Sequence, residues 1–554
     1  MMLGRPDRSS AVKRLTVSAV PPWHDGGRLP REEEVTVPPS ALRVVILKPS
    51  KYGLDGYVER FRRGFMPNST LVHLRSMTPE AVDGVPCEVV TVDEYVQTDL
   101  AYLDLLRPAP GRQTLLALVG VQSHQLQRAL DLAALARERG VEHAVLGGPH
   151  PMTCDTTALQ GRGVAFALCE AELAWPAILG DALAGELRPV YGREGRWQRR
   201  LDPPVLVPPA RRELRRYAVP LLGVYPARGC PYVCNFCSVI KIAGRQVRSQ
   251  PLETTLATLR AAAGAGVRCV IFTSDNFNKY PQAAELLEAM IAERLRLPFF
   301  VQCDTQIDRQ EGLVELLARA GCFQMFVGVE SFRREALRGA HKMQNHPDRY
   351  GRIVALCRRH GITSHFSNIL GFPEDTEETV LEHLSTLREI APDVASFYVL
   401  TPIPGTEQYA DFLARGLVTE RDLDRFDGTC VTWRHPRLEA GRWAELLYRC
   451  YAEFYSVRHV AGRLAELARG PRDFRRGFAL FALAGYALQS RLAAATRTHP
   501  MAGGTLRVRR DRLADHLPRR HRFWGFELAP LPANLPLVPA DEELNRHAKL
   551  PLAG

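Results

Sequence analysis

Cys230, Cys234 and Cys237 stand in a C-x₃-C-x₂-C array inside the stretch ARGCPYVCNFCSVIK, in a turn bounded by Gly229 and Pro231. Three thiolates this close converge when a loop curls round them, and together they can hold three irons of a cubane cluster. The fourth iron is then left without a local cysteine. A zinc site would need a fourth Cys or His at short spacing, and none follows Cys237 before Cys269. The array therefore predicts an iron-sulfur cluster with one open iron.

Such a loop needs elements that bring strand ends together. Apolar runs recur at 221–225, 269–272, 299–302, 323–329, 364–370 and 394–400, and each gap holds a helical pattern such as AAELLEAMIAERL or TEETVLEHLSTLREI. Strands alternating with helices at this rhythm predict a partial (β/α)₆ barrel over 221–410, with its chemistry at the C-terminal ends of the strands. The cysteine loop follows the first strand. Asp375, with Glu378 three residues on, predicts the N-cap and capping box of the last barrel helix.

Upstream, short apolar runs at 44–47, 89–92, 115–121, 144–146 and 164–168 read as buried parallel strands. Between two of them Leu126, Ala129, Leu130 and Ala133 fall at helical spacing, with Gly140 as a stop. This predicts an α/β, doubly wound, Rossmann-like domain over 41–185, with its ligand at the carboxyl ends of the strands. Two loops stand there: one carries Gly120, Gln122, Ser123 and His124, the other Gly147, Gly148 and Pro149. Paired glycines would let a bulky planar ligand approach the backbone, although a plain helix-to-strand connection explains them equally. Residues 186–220 read as a Pro- and Arg-rich linker, 1–40 as a mobile lead-in, and 411–554 as a mostly helical extension with a basic, Pro-rich tail.

The 554 residues carry a formal charge of +11, and the excess is arginine scattered along the chain with a concentration at 507–522. Scattered charge predicts a solvated basic surface and no nucleic-acid partner. Twelve cysteines without an export signal predict a reducing cytoplasm in place of a disulfide framework. No run reaches 18 apolar residues, so no membrane partner is expected.

The cysteine array after the first strand of a six-fold βα repeat resembles the radical S-adenosylmethionine (SAM) superfamily, over roughly residues 220–410. The resemblance implies that the open iron binds SAM and that Phe236 lies beside the adenine. Asp275, in Ser274-Asp275-Asn276, stands where that superfamily commonly has a Gly-Gly-Glu-like segment holding the amino group of SAM; here the glycines and the glutamate are absent. Gln302, Asp304, Glu330 and Ser331 stand at strand ends where ribose contacts are typical. Asn368 and Gly371 close the fifth strand, and Tyr398 and Thr401 the sixth.

A sheet domain before such a barrel looks like the cobalamin-binding domain of a large branch of the superfamily. VGVQSHQ, LGGPHP and ALCEAE, with Glu170, resemble that branch in order and spacing. The D-x-H-x-x-G loop that supplies a lower histidine ligand in other cobalamin proteins is missing, and His143 cannot substitute. Arg75 is the candidate for the lower corrin face. The runs FTSDNFNKYP, KMQNHPDRY and SNILGFPEDT resemble most closely the tryptophan 2-C-methyltransferases of thiopeptide antibiotic biosynthesis.

The resemblance implies methyl transfer from SAM through cobalamin to a carbon of a small substrate, with C2 of tryptophan as the specific case. It also implies an electron donor such as flavodoxin or ferredoxin. Asp304 and Tyr398 are the candidates for a general base. A cobalamin-binding radical SAM oxidative cyclase, and a cobalamin or redox sensor, are the competing readings.

Overall fold

The computed structural model describes residues 39–470, 473–500 and 504–524. Most of the expected 1–40 lead-in and the end of the tail lie outside the described residues. From Pro39 onward the chain packs as one unit.

Five parallel strands form the centre of the first lobe: β1 (Ala41–Lys48), β2 (Val85–Asp93), β3 (Arg112–Leu118), β4 (His143–Gly147) and β5 (Ala165–Ala167), in the spatial order β2-β1-β3-β4-β5. Ala81–Val82 pairs antiparallel with β2 at one edge, and Val190–Tyr191 extends the other edge beside β5. β1 has Val44, Val45, Ile46 and Leu47 buried, because helices cover both faces of the sheet. Those helices are α1 (Ser69–Met77), α2 (Leu126–Glu138), the short α3 (Pro149–Thr153) and α4 (Ala171–Ala184). The chain order reverses between β1 and β3, so the loops after these strands border the crevice where a doubly wound sheet takes its ligand.

The second lobe is a six-stranded, wholly parallel sheet in sequence order: β6 (Leu221–Val224), β7 (Cys269–Phe272), β8 (Phe299–Cys303), β9 (Cys322–Glu330), β10 (Thr363–Leu370) and β11 (Val394–Val399). This is the expected partial barrel. A short helix, α5 (Val239–Ile242), ends the cysteine loop. The helix at Glu377–Ile390 is capped by Thr376, whose side chain accepts from the Thr379 amide. Asp375 does not cap it: its carboxylate folds back onto the amides of Gly371 and Phe372 and closes that turn instead.

Three helices follow the barrel: α6 (Ala440–Phe454), α7 (Val457–Arg469) and α8 (Arg476–Thr496). α8 buries Ala479, Leu483, Ala487, Ser490 and Ala493 on one face. Its Tyr486 packs edge-on against His365 of β10, with ring centroids 4.9 Å apart. The chain then returns to the first lobe. Thr505–Val508 pairs antiparallel with Arg60–Arg63, and α9 (Leu513–Trp524) lies on α2.

That return gives the basic 507–522 run its partners. Arg507 and Arg509 pair with Asp55, Arg519 and Arg522 with Glu138, and Arg520 with Asp131. Beneath them Arg60 and Arg128 share the fully buried Glu94 at 2.7 Å each, and Arg128 also reaches Asp511. Burial alone would raise the Glu94 pKa, yet the two guanidiniums hold it down at about 2.

Candidate active site

The cysteine loop is shaped before any ligand is considered. Ala227–Arg228 pairs antiparallel with Arg248–Ser249 and closes its base. Gly229 has φ of +108°, and a Cβ there would meet the Gln246 carbonyl oxygen at 2.1 Å. Only glycine lets the loop cross that backbone. The Cys230 amide donates to the Gly244 carbonyl and the Cys237 amide to that of Cys234. Asn235 is tied on both sides, by its own amides to Gly339 and Ala340 and by the Gln408 amide to its carbonyl.

Three thiols on one curled loop are the donor set of a cubane cluster with one open corner. Two amides already point at sulfur: Asn276 Nδ2 lies 3.1 Å from Cys230 Sγ and Gln344 Nε2 lies 3.7 Å from Cys234 Sγ. Such N–H donors stabilise thiolate charge and tune cluster potential. Burial pushes the Cys237 thiol up to about 11, so its proton must leave as iron binds.

The barrel mouth next to these thiols is polar. Glu330, at the end of β9, adopts φ of +60°, a strained conformation for a non-glycine residue. Its carboxylate accepts from Lys342 Nζ at 2.9 Å and from Ser367 at 3.3 Å. Lys342 stands 5.7 Å from the centre of the Phe236 ring. Ser274 Oγ is buried without a partner, and Gln302 stands half-buried near the end of β8. Asp275 accepts from the Gly229 amide at 2.7 Å, and burial raises it to about 6. The mouth thus offers an ammonium, a carboxylate and unpaired polar atoms, a set that fits the charged amino-acid end of SAM.

The first lobe presents its glycine loops to the same region. Gly148 has φ of +135°, and a Cβ there would lie 2.2 Å from the Val121 amide nitrogen. The two loops interlock further, Val121 N–H donating to Gly147 and His150 N–H to Val121. At the end of β1, the Lys48 ammonium reaches the Gly120 carbonyl and Gln125 Oε1, and burial lowers it to about 7. His150 Nδ1 meets Ser123 Oγ at 3.0 Å, while its buried Nε2 has no partner. Burial holds His150 near 4 and His124 near 3, so both rings are neutral. An orphaned ring nitrogen beside a glycine-built crevice suits a large planar group carrying polar side arms. Gln122 is exposed and Pro149 starts α3.

The lobes are clamped together at this site. Glu170, ahead of α4, binds Arg248 through both oxygens at 2.8 and 2.9 Å and lies 3.3 Å from Arg228. α3 packs on α5, directly behind the cysteines. Glu170 therefore joins the two lobes; its carboxylate is occupied by the chain itself.

Other expected site residues have different tasks. α1 begins at the crevice, where Ser69 abuts Gly223 and Thr70 abuts Gly120. Arg75 lies five residues along, about 8 Å at 1.5 Å per residue, and pairs with Glu213 at 3.5 Å on the linker side. That pairing occupies its guanidinium at a half-open position on the surface. Asp304 caps the turn at Thr305–Arg309, accepting from Gln306 and Asn278. Burial pushes the Tyr398 hydroxyl up to about 12. Ser331 accepts from the Arg333 amide. A Cβ on Gly371 would meet the Trp443 ring at 2.1 Å, so that glycine serves packing.

Sequence reasoning missed Lys342 and Lys48, and it held Asn276 and His150 in its candidate loops without giving either a role. KMQ and SDN hold Lys342 and Asn276 in plain view, yet nothing local says that they face sulfur.

Comparison with known proteins agrees with this geometry. Residues 224–387 match the Radical SAM superfamily. The chain is 23% identical to bacteriochlorophyllide d C-8(2)-methyltransferase of Chlorobaculum tepidum, over 62% of this chain and 78% of that one. It is 28% identical to tryptophan 2-C-methyltransferase of Streptomyces laurentii, over 38% of this chain and 39% of that one. In fold it is similar to the radical SAM methyltransferase TsrM from Kitasatospora setae, solved with cobalamin and a [4Fe-4S] cluster bound. That match has a TM-score of 0.58 at 16% identity and covers 82% of this chain and 100% of that one.

Proposed function

We propose that this chain, a cobalamin-dependent radical SAM methyltransferase, moves a methyl group from SAM to a carbon of a small, flat substrate held between its two lobes. The observation that carries the reading is the joint: a three-cysteine loop and an interlocked pair of glycine loops, brought to one crevice by the Glu170 clamp and the α3–α5 contact. When bound, the cluster supplies an electron and an open iron for SAM, and cobalamin carries the methyl group. Cys230, Cys234 and Cys237 hold the cluster. Lys342, oriented by Glu330, offers an ammonium to the SAM carboxylate. Ser274 and Asp275 supply acceptors for its amino group. The glycine loops and His150 receive the corrin and its side arms.

The substrate we propose is an aromatic amino acid, with the indole carbon C2 of tryptophan as the specific candidate. Two things support it: the partial likeness to a tryptophan 2-C-methyltransferase, and the cluster of aromatic rings, Phe326, His365 and Tyr486, packed edge-on at β9 and β10 of the barrel. Holding such a ring between two cofactor sites lowers the entropy cost of bringing three reactants together. Tyr398 serves as a donor toward it. A flavodoxin or ferredoxin delivers the electron.

The test is anaerobic incubation of reconstituted protein with cobalamin, tryptophan and SAM labelled in its methyl group. Label at C2 of tryptophan supports the whole reading. Label found only in other acceptors keeps the methyltransferase and removes the tryptophan assignment. An oxidised product free of label overturns both and favours the cyclase.

A further inference from the structure

α8 is the one helix among the described residues long and apolar enough to cross a membrane by length and composition. It does not read as a span, because one face is buried against the barrel. Its other face is bare. Phe481, Leu488 and Leu492 are 65, 62 and 53% exposed, and positions i, i+7 and i+11 share one side of a helix. Gly477, Ala484, Gly485 and Ala495 share that side of the helix, and no charged residue interrupts the stripe. Val457, at the start of the antiparallel neighbour α7, is 68% exposed as well.

The surroundings of the stripe are basic. From Val457 to Arg497 the chain has eight arginines against two carboxylates, Glu466 and Asp473. Arg458, Arg469, Arg476, Arg491 and Arg497 make no ion pair among the described residues. This differs from the 507–522 run, where Arg507, Arg509, Arg519, Arg520 and Arg522 each have a carboxylate partner within the chain.

We propose that the outer face of α8, with its α7 flank, docks on an anionic lipid surface, the helix lying in the plane of the bilayer. Large apolar side chains on one face, with arginines that lack a carboxylate partner beside them, are what an interfacial helix needs: apolar burial holds it and charge draws it in. A second copy of the chain is a poorer occupant. A two-fold contact through this stripe sets each arginine flank against its own image, and like charges repel. The proposal runs against the expectation of no membrane partner and does not depend on the reaction. Because the buried face of α8 carries Tyr486 to the barrel wall, such docking would place that wall beside the bilayer.

The test is flotation of the full-length protein with vesicles of phosphatidylglycerol and phosphatidylcholine, and with phosphatidylcholine alone. The protein should float with the anionic vesicles, less at high salt and little with phosphatidylcholine alone. The triple variant F481S/L488S/L492S should lose at least about tenfold in partitioning. Its circular dichroism should match the wild type, since all three side chains face solvent. R458Q/R469Q should weaken binding and flatten its salt dependence while leaving the apolar stripe intact. Absence of flotation, or equal flotation of the triple variant, overturns the proposal. So does a wild-type dimer in sedimentation that the triple variant converts to monomer, because the stripe then belongs to a second copy.

Discussion

The two halves of the crevice are built on different rules. At the barrel mouth, iron would bond covalently to thiolates, and that chemistry fixes residue type and spacing: three cysteines, one turn, one glycine where the loop crosses the Gln246 backbone. On the first lobe, recognition rests on backbone and shape, with Gly148 pressed onto Val121 and a lysine buried under Gly120. The first rule leaves a short signature. The second tolerates many sequences, so its side chains cannot be assigned from type alone.

The largest effect should come from the covalent side. Cys234→Ala should remove the iron-sulfur absorbance after reconstitution and lower SAM consumption by about a thousandfold or more. Cobalamin binding should survive, because the glycine loops do not touch that thiol. A variant that keeps a full cluster spectrum and SAM turnover would break the distinction drawn here.

Next comes the clamp that makes one site of two lobes. Glu170→Ala leaves Arg248 buried, its side chain 6% exposed, without its main counter-charge. Removing one partner of a buried pair costs about 3–5 kcal/mol. Chemical denaturation should show a lower midpoint, and methyl transfer should fall more than SAM cleavage, since only the former needs both lobes. An equal fall in the two activities would mean that Glu170 acts on the barrel alone.

Gly148→Ala should cost about 1–3 kcal/mol through backbone strain, with a further penalty from the 2.2 Å approach to Val121. The measurable sign is weaker cobalamin retention on gel filtration with an unchanged cluster spectrum. Cobalamin retention at the wild-type level would show that the interlocked loops are packing only, the simpler explanation of those glycines.

Both sheets were legible because their signals are local: unbroken apolar runs at strand length with helical patterns between them. The polar face of α2 was not. Arg128 and Asp131 look like solvated helix positions, yet both are fully buried, because Asp511 and Arg520 return from more than 380 residues away to meet them. Asp375 looks like a cap and is a turn clasp for the same reason, that a carboxylate can satisfy either set of amides and only the fold decides. The cysteines needed no such context. Lys342 did: a lysine in a loop carries no mark of facing a cluster until β9 and the loop after it are set in place.

The smallest effect belongs to Arg75, and it separates the two rules most cleanly. It was the candidate for the underside of the corrin, and α1, which carries it, begins at the crevice. A helix carries successive residues away along its axis, however, and by Arg75 the chain has reached Glu213 on the linker, where both side chains are 38% exposed. An exposed pair at 3.5 Å is worth about 0–1 kcal/mol. Arg75→Ala should therefore leave the cobalamin spectrum, its retention and the methyl-transfer rate close to wild type. Lys48→Met, by contrast, should loosen the Gly120 loop and weaken retention, because the Lys48 ammonium bonds that loop's carbonyl from below. If Arg75→Ala alters the cobalamin spectrum and Lys48→Met does not, the underside of the corrin lies along α1 and the assignment of the crevice to the ends of β1 and β3 must be reversed.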